Sequence, residues 1–228
     1  IVSTSPENKK VVLEEYTGIH CVWCPSGHQI AQTLQNNNPD DVFLVNIHVG
    51  GYAVPGSGEP DFRTPFGTAI ANEAGVAFYP SGSVNRHVFS GGATAMDRNA
   101  WTGAANTTMG QASYVNVGVE ADINVSTNEI TIHVEAYYTG NSPESTNLLN
   151  VALLQNNTLG PQTGGGMGNQ YNHMHRLVYL ITGQWGVSIP TTTTETFVDE
   201  TFTYTIPADY NGVPVAIENL EVVTFITE

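Results

Sequence analysis

The sequence predicts an α/β domain over residues 1–111 followed by an all-β antiparallel sandwich over residues 112–228. Before residue 112, short apolar runs alternate with segments whose apolar residues recur at helical spacing. Beyond it the helical spacing disappears, and apolar and polar residues alternate one by one. Six or more such alternating runs are joined by loops rich in Gly, Asn, Pro and Thr, the punctuation of a sandwich.

The elements follow in order. "KVVLEEY" (10–16) reads as a buried strand. "PSGHQIAQTLQNN" (25–37) reads as a helix, with Pro25 suited to its first turn and Ile30, Ala31 and Leu34 on one face. "DVFLVNIHV" (41–49) is apolar on both faces, as a central parallel strand is. "GGYAVPGSGEPDFRTP" (50–65) reads as an insertion, and "FGTAIANEAG" (66–75) as a short helix closed by Gly75. "VAFYPSGSVNRHVFSG" (76–91) gives two short strands around a turn, and "MDRNAWTGAANTTMG" (96–110) a last helix. "SYVNVGVEADINV" (113–125) and "NEITIHVEAYYTG" (128–140) read as a hairpin around "STN". Further strands are expected in "NLLNVALLQNN", "HMHRLVYLITG", "ETFVDETFTYTIP" and "LEVVTFITE", with "LGPQTGGGMGNQYN" (159–172) a flexible loop between two of them.

Charge excludes several functions. Six Lys plus Arg stand against 21 Asp plus Glu, a net charge of −15 at pH 7. Such a surface repels phosphate backbones and anionic lipid, so nucleic acid is not an expected partner. Acidic, lysine-poor, Thr/Asn/Gly-rich composition points to a secreted or cell-surface bacterial protein. No apolar run approaches the roughly 20 residues that span a bilayer. The chain opens "IVSTSPENKK" without Met, and the natural N-terminus is expected to have been removed. No GxSxG, HExxH, P-loop or dinucleotide fingerprint occurs.

The two cysteines, Cys21 and Cys24, stand as CxxC between the first strand and the first helix. A helix N-terminus offers unpaired N–H groups that stabilise a thiolate, and the two-residue gap lets the second thiol resolve a mixed disulfide formed by the first. Glu15 lies six residues before Cys21, at the end of the first strand, and "FYPSG" sets Pro80 between two strands. Thioredoxins keep a buried acid and a cis-proline at these places, and the element order matches theirs. On that pattern Cys21 attacks, Cys24 resolves, Glu15 relays a proton and Pro80 faces the substrate. His20 stands before the first cysteine, Trp23 lies between the two and Tyr79 precedes Pro80; these are candidate modulators.

"KVVLEEYTGIHCVWCPSG", "GVAFYPSGSVNR" and "YNHMHRLVYLITGQWG" together resemble the Omp-twenty-eight-related outer-membrane lipoproteins of Bacteroidetes. The resemblance covers nearly the whole chain. It implies a thioredoxin-like domain followed by a β-sandwich, a periplasmic, outer-membrane or cell-surface location, and a lipid anchor on the missing N-terminal part.

Three readings of the pair stay open: a redox centre, an inert or vestigial disulfide, and a metal clip of Cys21, Cys24 and His28 with His20 or His48 as a fourth ligand. No organic cofactor is expected. His173 and His175 are expected on one face of a strand, Arg86 and Asp97–Arg98 as structural ion partners, and Glu120 and Asp122 as solvent-facing strand residues. Two function classes follow. One is a thiol–disulfide oxidoreductase acting on protein thiols or disulfides. The other is a non-enzymatic surface module, whose unknown ligand would meet the inserted loop or aromatics such as Tyr52, Trp101 and Trp185.

Overall fold

The computed structural model describes all 228 residues. The first half contains β1 (Val11–Thr17), α1 (Cys24–Asn37), β2 (Val42–His48), α2 (Gly67–Ala74), β3 (Ser81–Val84), β4 (Met96–Asp97) and α3 (Arg98–Met109). Local chemistry sets the helix ends. Pro25 sits in the first turn of α1, where its missing N–H is not needed. Gly75 adopts the left-handed conformation that closes α2. Asp97 caps α3 by accepting a hydrogen bond from the Asn99 N–H.

β1 and β2 are parallel, in register from Val11 beside Val42 to Thr17 beside His48, and β3 runs antiparallel to β1. α1 and α3 cover one face through Ala31, Leu34, Trp101, Ala104 and Ala105 against Val11, Leu13, Val42 and Leu44. Trp101 lies so near Gly82 that a Cβ there would stand 2.9 Å from the indole. α2 covers the other face, packing Ile70, Ala71 and Ala74 on Tyr16, Val45 and Ile47.

The second half adds β5 (Val115–Asn124), β6 (Glu129–Tyr138), β7 (Asn147–Gln155), β8 (Thr158–Gly160), β9 (Tyr171–His173), β10 (Arg176–Leu180), β11 (Val187–Ile189), β12 (Phe197–Thr205), β13 (Asp209–Tyr210), β14 (Val213–Pro214) and β15 (Leu220–Thr227). β5, β6 and β12 make a three-stranded antiparallel sheet. β7, β10, β11 and β15 do something else: they join the strands of the first half in one eight-stranded sheet. The seam is the parallel pairing of Arg176 in β10 with Asn46 in β2. It is reinforced by the Asn46 N–H to the His175 carbonyl at 2.8 Å and Asn46 Nδ2 to the Met174 carbonyl at 2.8 Å.

This overturns the expected fold class. The chain is mostly β with three short helices, and its main sheet crosses residue 112, so no separate thioredoxin-like α/β domain and no plain two-sheet sandwich is present. The physical reason lies in β7. Its burial runs almost unbroken, with no solvent face. Ala152 and Leu154 enter the core shared with α2, whereas Leu149, Val151 and Leu153 pack with Ile130, Ile132 and Val134 of β6. A strand buried on both faces belongs inside a layered sheet. None of the helices is long and apolar enough to cross a membrane.

Candidate functional site

The carboxyl ends of β1 and β2 lay out the site. Their register sets Glu15 beside Asn46 and Thr17 beside His48, and β10 adds Arg176 on the far side of Asn46. Residues paired across strands share a face, so a row of polar groups crosses three strands there, and every one of them is buried. Ligand crevices of open α/β sheets form outside such strand ends.

α1 begins above this row. Cys24 is its first residue and Cys21 lies in the preceding turn; the two form a disulfide with Cα atoms 5.4 Å apart. A Cβ on Gly27 would stand 2.6 Å from Glu15 Oε1 and 3.0 Å from Pro80 Cγ, so only glycine lets helix, acid and proline meet. The Tyr79–Pro80 bond is cis. One turn after Cys24, His28 Nε2 lies 2.9 Å from Thr17 Oγ1 and 3.7 Å from Glu15 Oε1, and its Nδ1 lies 2.6 Å from Tyr171 Oη.

Two segments close over the disulfide. The stretch expected as a flexible loop, 159–172, is a strap: β8 and β9 pair antiparallel and carry residues 161–170 across the CxxC turn. The Thr163 N–H donates to the Ile19 carbonyl at 2.7 Å, and Gln162 Nε2 donates to the carbonyls of Gly18 at 3.1 Å and Cys21 at 3.0 Å. Gly164, at φ +81°, lies against the Val22 carbonyl with no room for a Cβ. From the other side the His20 N–H donates to the Tyr52 carbonyl at 2.9 Å, and His20 Nε2 pairs with Glu59 Oε2 at 2.9 Å. Cys21 is therefore only 2% exposed and Cys24 fully buried, whereas Trp23 between them is 63% exposed. Trp23 carries the Arg98 guanidinium 5.9 Å from its ring. Tyr79 meets Tyr52 edge-on with ring centroids 5.8 Å apart.

Burial dominates the electrostatics. Neither oxygen of Glu15 has a hydrogen-bond partner, and burial raises its pKa well above the ordinary carboxylate value. Burial, and then His173, pushes His28 down to about 3. His173, buried while its Nε2 lies 3.2 Å from the Pro161 carbonyl, falls to about 4, and His48 falls well below its ordinary value. His48, Phe62 and His173 contact one another edge-to-face, and Arg176 lies 5.0 Å over the Phe62 ring. Burial lowers Arg176 to about 10, and its Nε and Nη2 have no partner.

Glu15 and Pro80 thus come together at Gly27, in the first turn of α1 after Cys24, with Tyr79 beside Pro80, while His20 and Trp23 lie at the rim. The metal clip does not form, because both cysteines are in the disulfide and His28 is held by Thr17 and Tyr171. No group of three His, Cys, Asp or Glu is placed to hold a metal ion. His173 and His175 do not share a strand face: His175 sits after β9 at φ +50° and pairs with Glu221 at 2.8 Å. Trp101 is core, not a surface aromatic, while Tyr52 and Trp185 are exposed. Arg86 is a structural ion partner, bidentate to buried Glu14 at 2.7 and 2.8 Å.

Sequence reasoning missed Thr17, Gln162, Gly164, Tyr171 and Arg176. The triple glycine at 164–166, all at positive φ, was the one local sign that the loop has a fixed path.

A model of the family described as outer membrane protein Omp28 matches residues 68–228, more than half of the chain. Among solved structures, HBP35 of Porphyromonas gingivalis superposes with a TM-score of 0.76 at 18% identity, over 96% of this chain and 69% of that one. A protein of Agrobacterium tumefaciens gives 0.55 at 15% identity, over 96% of both chains. A domain of the outer membrane lipoprotein Omp28 from Porphyromonas gingivalis gives 0.34 at 18% identity, over 50% of this chain and 75% of that one. At these identities the likenesses extend to fold alone. No curated protein matches the chain. A disulfide fits an oxidising compartment outside the cytoplasm. The chain is an extracytoplasmic member of the Omp28 family of outer membrane proteins.

Proposed function

We propose that Cys21 and Cys24 are a thiol–disulfide exchange centre whose partners are protein thiols or disulfides. The observation that carries this reading is Glu15, a carboxyl fully buried and without a hydrogen-bond partner, at the junction of Pro80 and the first turn of α1, the turn that Cys24 opens. Burying such a group unpaired costs free energy. A disulfide across so short a loop stabilises little by chain entropy and gives no reason to keep the acid there.

In the reducing direction a partner thiolate attacks Cys21 Sγ. A new S–S bond forms, the Cys21–Cys24 bond breaks, and Cys24 leaves as a thiolate that takes the Glu15 proton. The partner's second thiolate then displaces Cys21, which leaves as a thiolate and takes a proton from water; two electrons have passed from partner to pair. The reverse sequence oxidises a partner dithiol. Because Cys21 is 2% exposed, exchange requires residues 162–164 of the strap to lift from Gly18, Ile19 and Val22, with β9 staying in place.

Equilibration in glutathione and dithiothreitol buffers with thiol trapping tests the reading. A reduction potential between roughly −120 and −270 mV supports it. A value below about −300 mV, or thiols that react only after denaturation, marks an inert staple.

A second reading, a non-enzymatic binding module, draws on one observation. On the opposite face of β1 opens a cleft of about 990 Å³, whose lining includes Val12, Tyr16, Phe43, Ile70, Val223 and Phe225. Pockets of that size and character hold small ligands. Retained ligand binding by a Cys21→Ser/Cys24→Ser double variant would favour it.

A further inference from the structure

The buried acid is enclosed by protein, so a proton leaving it needs a path. Such a path is laid out in side chains from three separated parts of the chain. Glu15 Oε1 stands 3.7 Å from His28 Nε2, the same nitrogen stands 2.9 Å from the Thr17 hydroxyl, and His28 Nδ1 stands 2.6 Å from the Tyr171 hydroxyl. Tyr171 is half-buried, so the line ends at the protein surface.

We propose that His28 and Tyr171 form the route by which Glu15 exchanges its proton with solvent, which makes the strap hairpin a working part of the site and not only its cover. This rests on the exchange reading above. The tautomer that delivers a proton inward has the Tyr171 O–H donating to Nδ1 and the hydrogen on Nε2, 2.9 Å from the Thr17 hydroxyl and 3.7 Å from Glu15 Oε1. When Cys24 leaves as a thiolate it takes the Glu15 proton. In the same step the carboxylate takes the Nε2 proton and Tyr171 passes its proton to Nδ1, so that no buried carboxylate is left behind, and the phenolate then recovers a proton from water. Each transfer moves one proton and no electrons, and running the chain backwards unloads the site on oxidation.

Glu15 and Thr17 from β1, His48 from β2 and Tyr171 and His173 from the hairpin are the polar groups gathered around His28, with Arg176 of β10 beyond them beside His48 and His173. Burial holds His28 neutral down to about pH 3, so it passes a proton without storing charge. Were Tyr171 only an anchor for the hairpin, its loss would loosen the strap and speed access to the disulfide.

The test is the rate at which dithiothreitol reduces the disulfide in the native full chain, from pH 5 to 9, in H₂O and D₂O. Tyr171→Phe and His28→Gln are compared with the wild type. Both variants are expected to react on the order of 10²-fold more slowly, and to show a solvent deuterium isotope effect that the wild type lacks. Wild-type rates in both variants, or slowing without a new isotope effect, overturn the relay and leave the exchange reading standing. A wild-type disulfide that native conditions cannot reduce overturns both. If His28→Gln does not fold, Tyr171→Phe alone decides, since it keeps the ring and removes only the hydroxyl.

Discussion

Glu15 holds its carboxyl where no donor reaches it, and this makes its ionisation a stability term. Burial raises its folded-state pKa above the ordinary 4.5. Below pH 4.5 the group is protonated in both states and contributes no pH dependence. Above pH 4.5 the unfolded chain releases the proton and the folded chain keeps it, so the contribution of Glu15 to stability declines as pH rises until the folded group ionises. Glu15→Gln lacks this penalty, and calorimetry from pH 4 to 8 is expected to show its stability advantage growing from pH 4.5 upward. The opposite face of β1 gives the contrasting case. Glu14 is buried but gripped by Arg86, so Arg86→Met should cost about 3–5 kcal/mol in urea unfolding by leaving a buried charge alone. Cys21, Cys24 and Glu15 were legible together because a strand–turn–helix spacing links them, whereas Pro80 was placed only by the likeness to the thioredoxin pattern. Thr17, Gln162 and Tyr171 were not, since Gln162 and Tyr171 reach the site from more than 130 residues away, a distance only the tertiary fold closes.

The strap is the element on which access to the disulfide turns. Gly164 combines positive φ with direct contact against Val22, so an added side chain is strained by its backbone and blocked by its neighbour. Gly164→Ala should lower stability by about 1–2 kcal/mol. It should also speed reduction of the disulfide by dithiothreitol, measured by thiol trapping; an unchanged rate would show that the strap does not limit access. Individual elements were well marked in the sequence. α1, α2 and α3 begin and end within a residue or two of the expected segments 25–37, 66–75 and 96–110, and the β5–β6 hairpin follows its alternation. The strap was misread because glycine repeats look alike whether a loop is free or held by neighbours that sequence does not display.

For the whole molecule, β7 decides the architecture. Its residues feed two cores at once, so Leu153→Ala should cost about 2–5 kcal/mol and shift one cooperative transition; two separate calorimetric transitions would restore independent halves. Acid stability is a property of the whole as well. His28, His48 and His173 are buried neutral, so as pH falls below 6.5 the unfolded chain takes up protons that the folded chain refuses. The histidines' contribution to stability should therefore fall as pH drops from 6.5 to about 4, and His173→Gln should lessen that part of the slope of the urea midpoint against pH. The expected fold class failed at this scale for a definite reason. It rested on a change of texture, and "NLLNVALLQ" was grouped with the alternating strands although it does not alternate.

The seam between Asn46 and Arg176 has a consequence in time. The central sheet cannot close until residues beyond 176 are present, because β10, β7 and β15 are its missing half. The Cys21–Cys24 link, by contrast, spans three positions and needs none of them. During biogenesis the cysteines can thus be oxidised while the chain is still open, and the late arrival of Gln162 and Thr163 over Gly18 and Ile19 shuts the door behind them. An agent that oxidises the nascent chain meets an exposed pair, whereas any later partner meets a covered one.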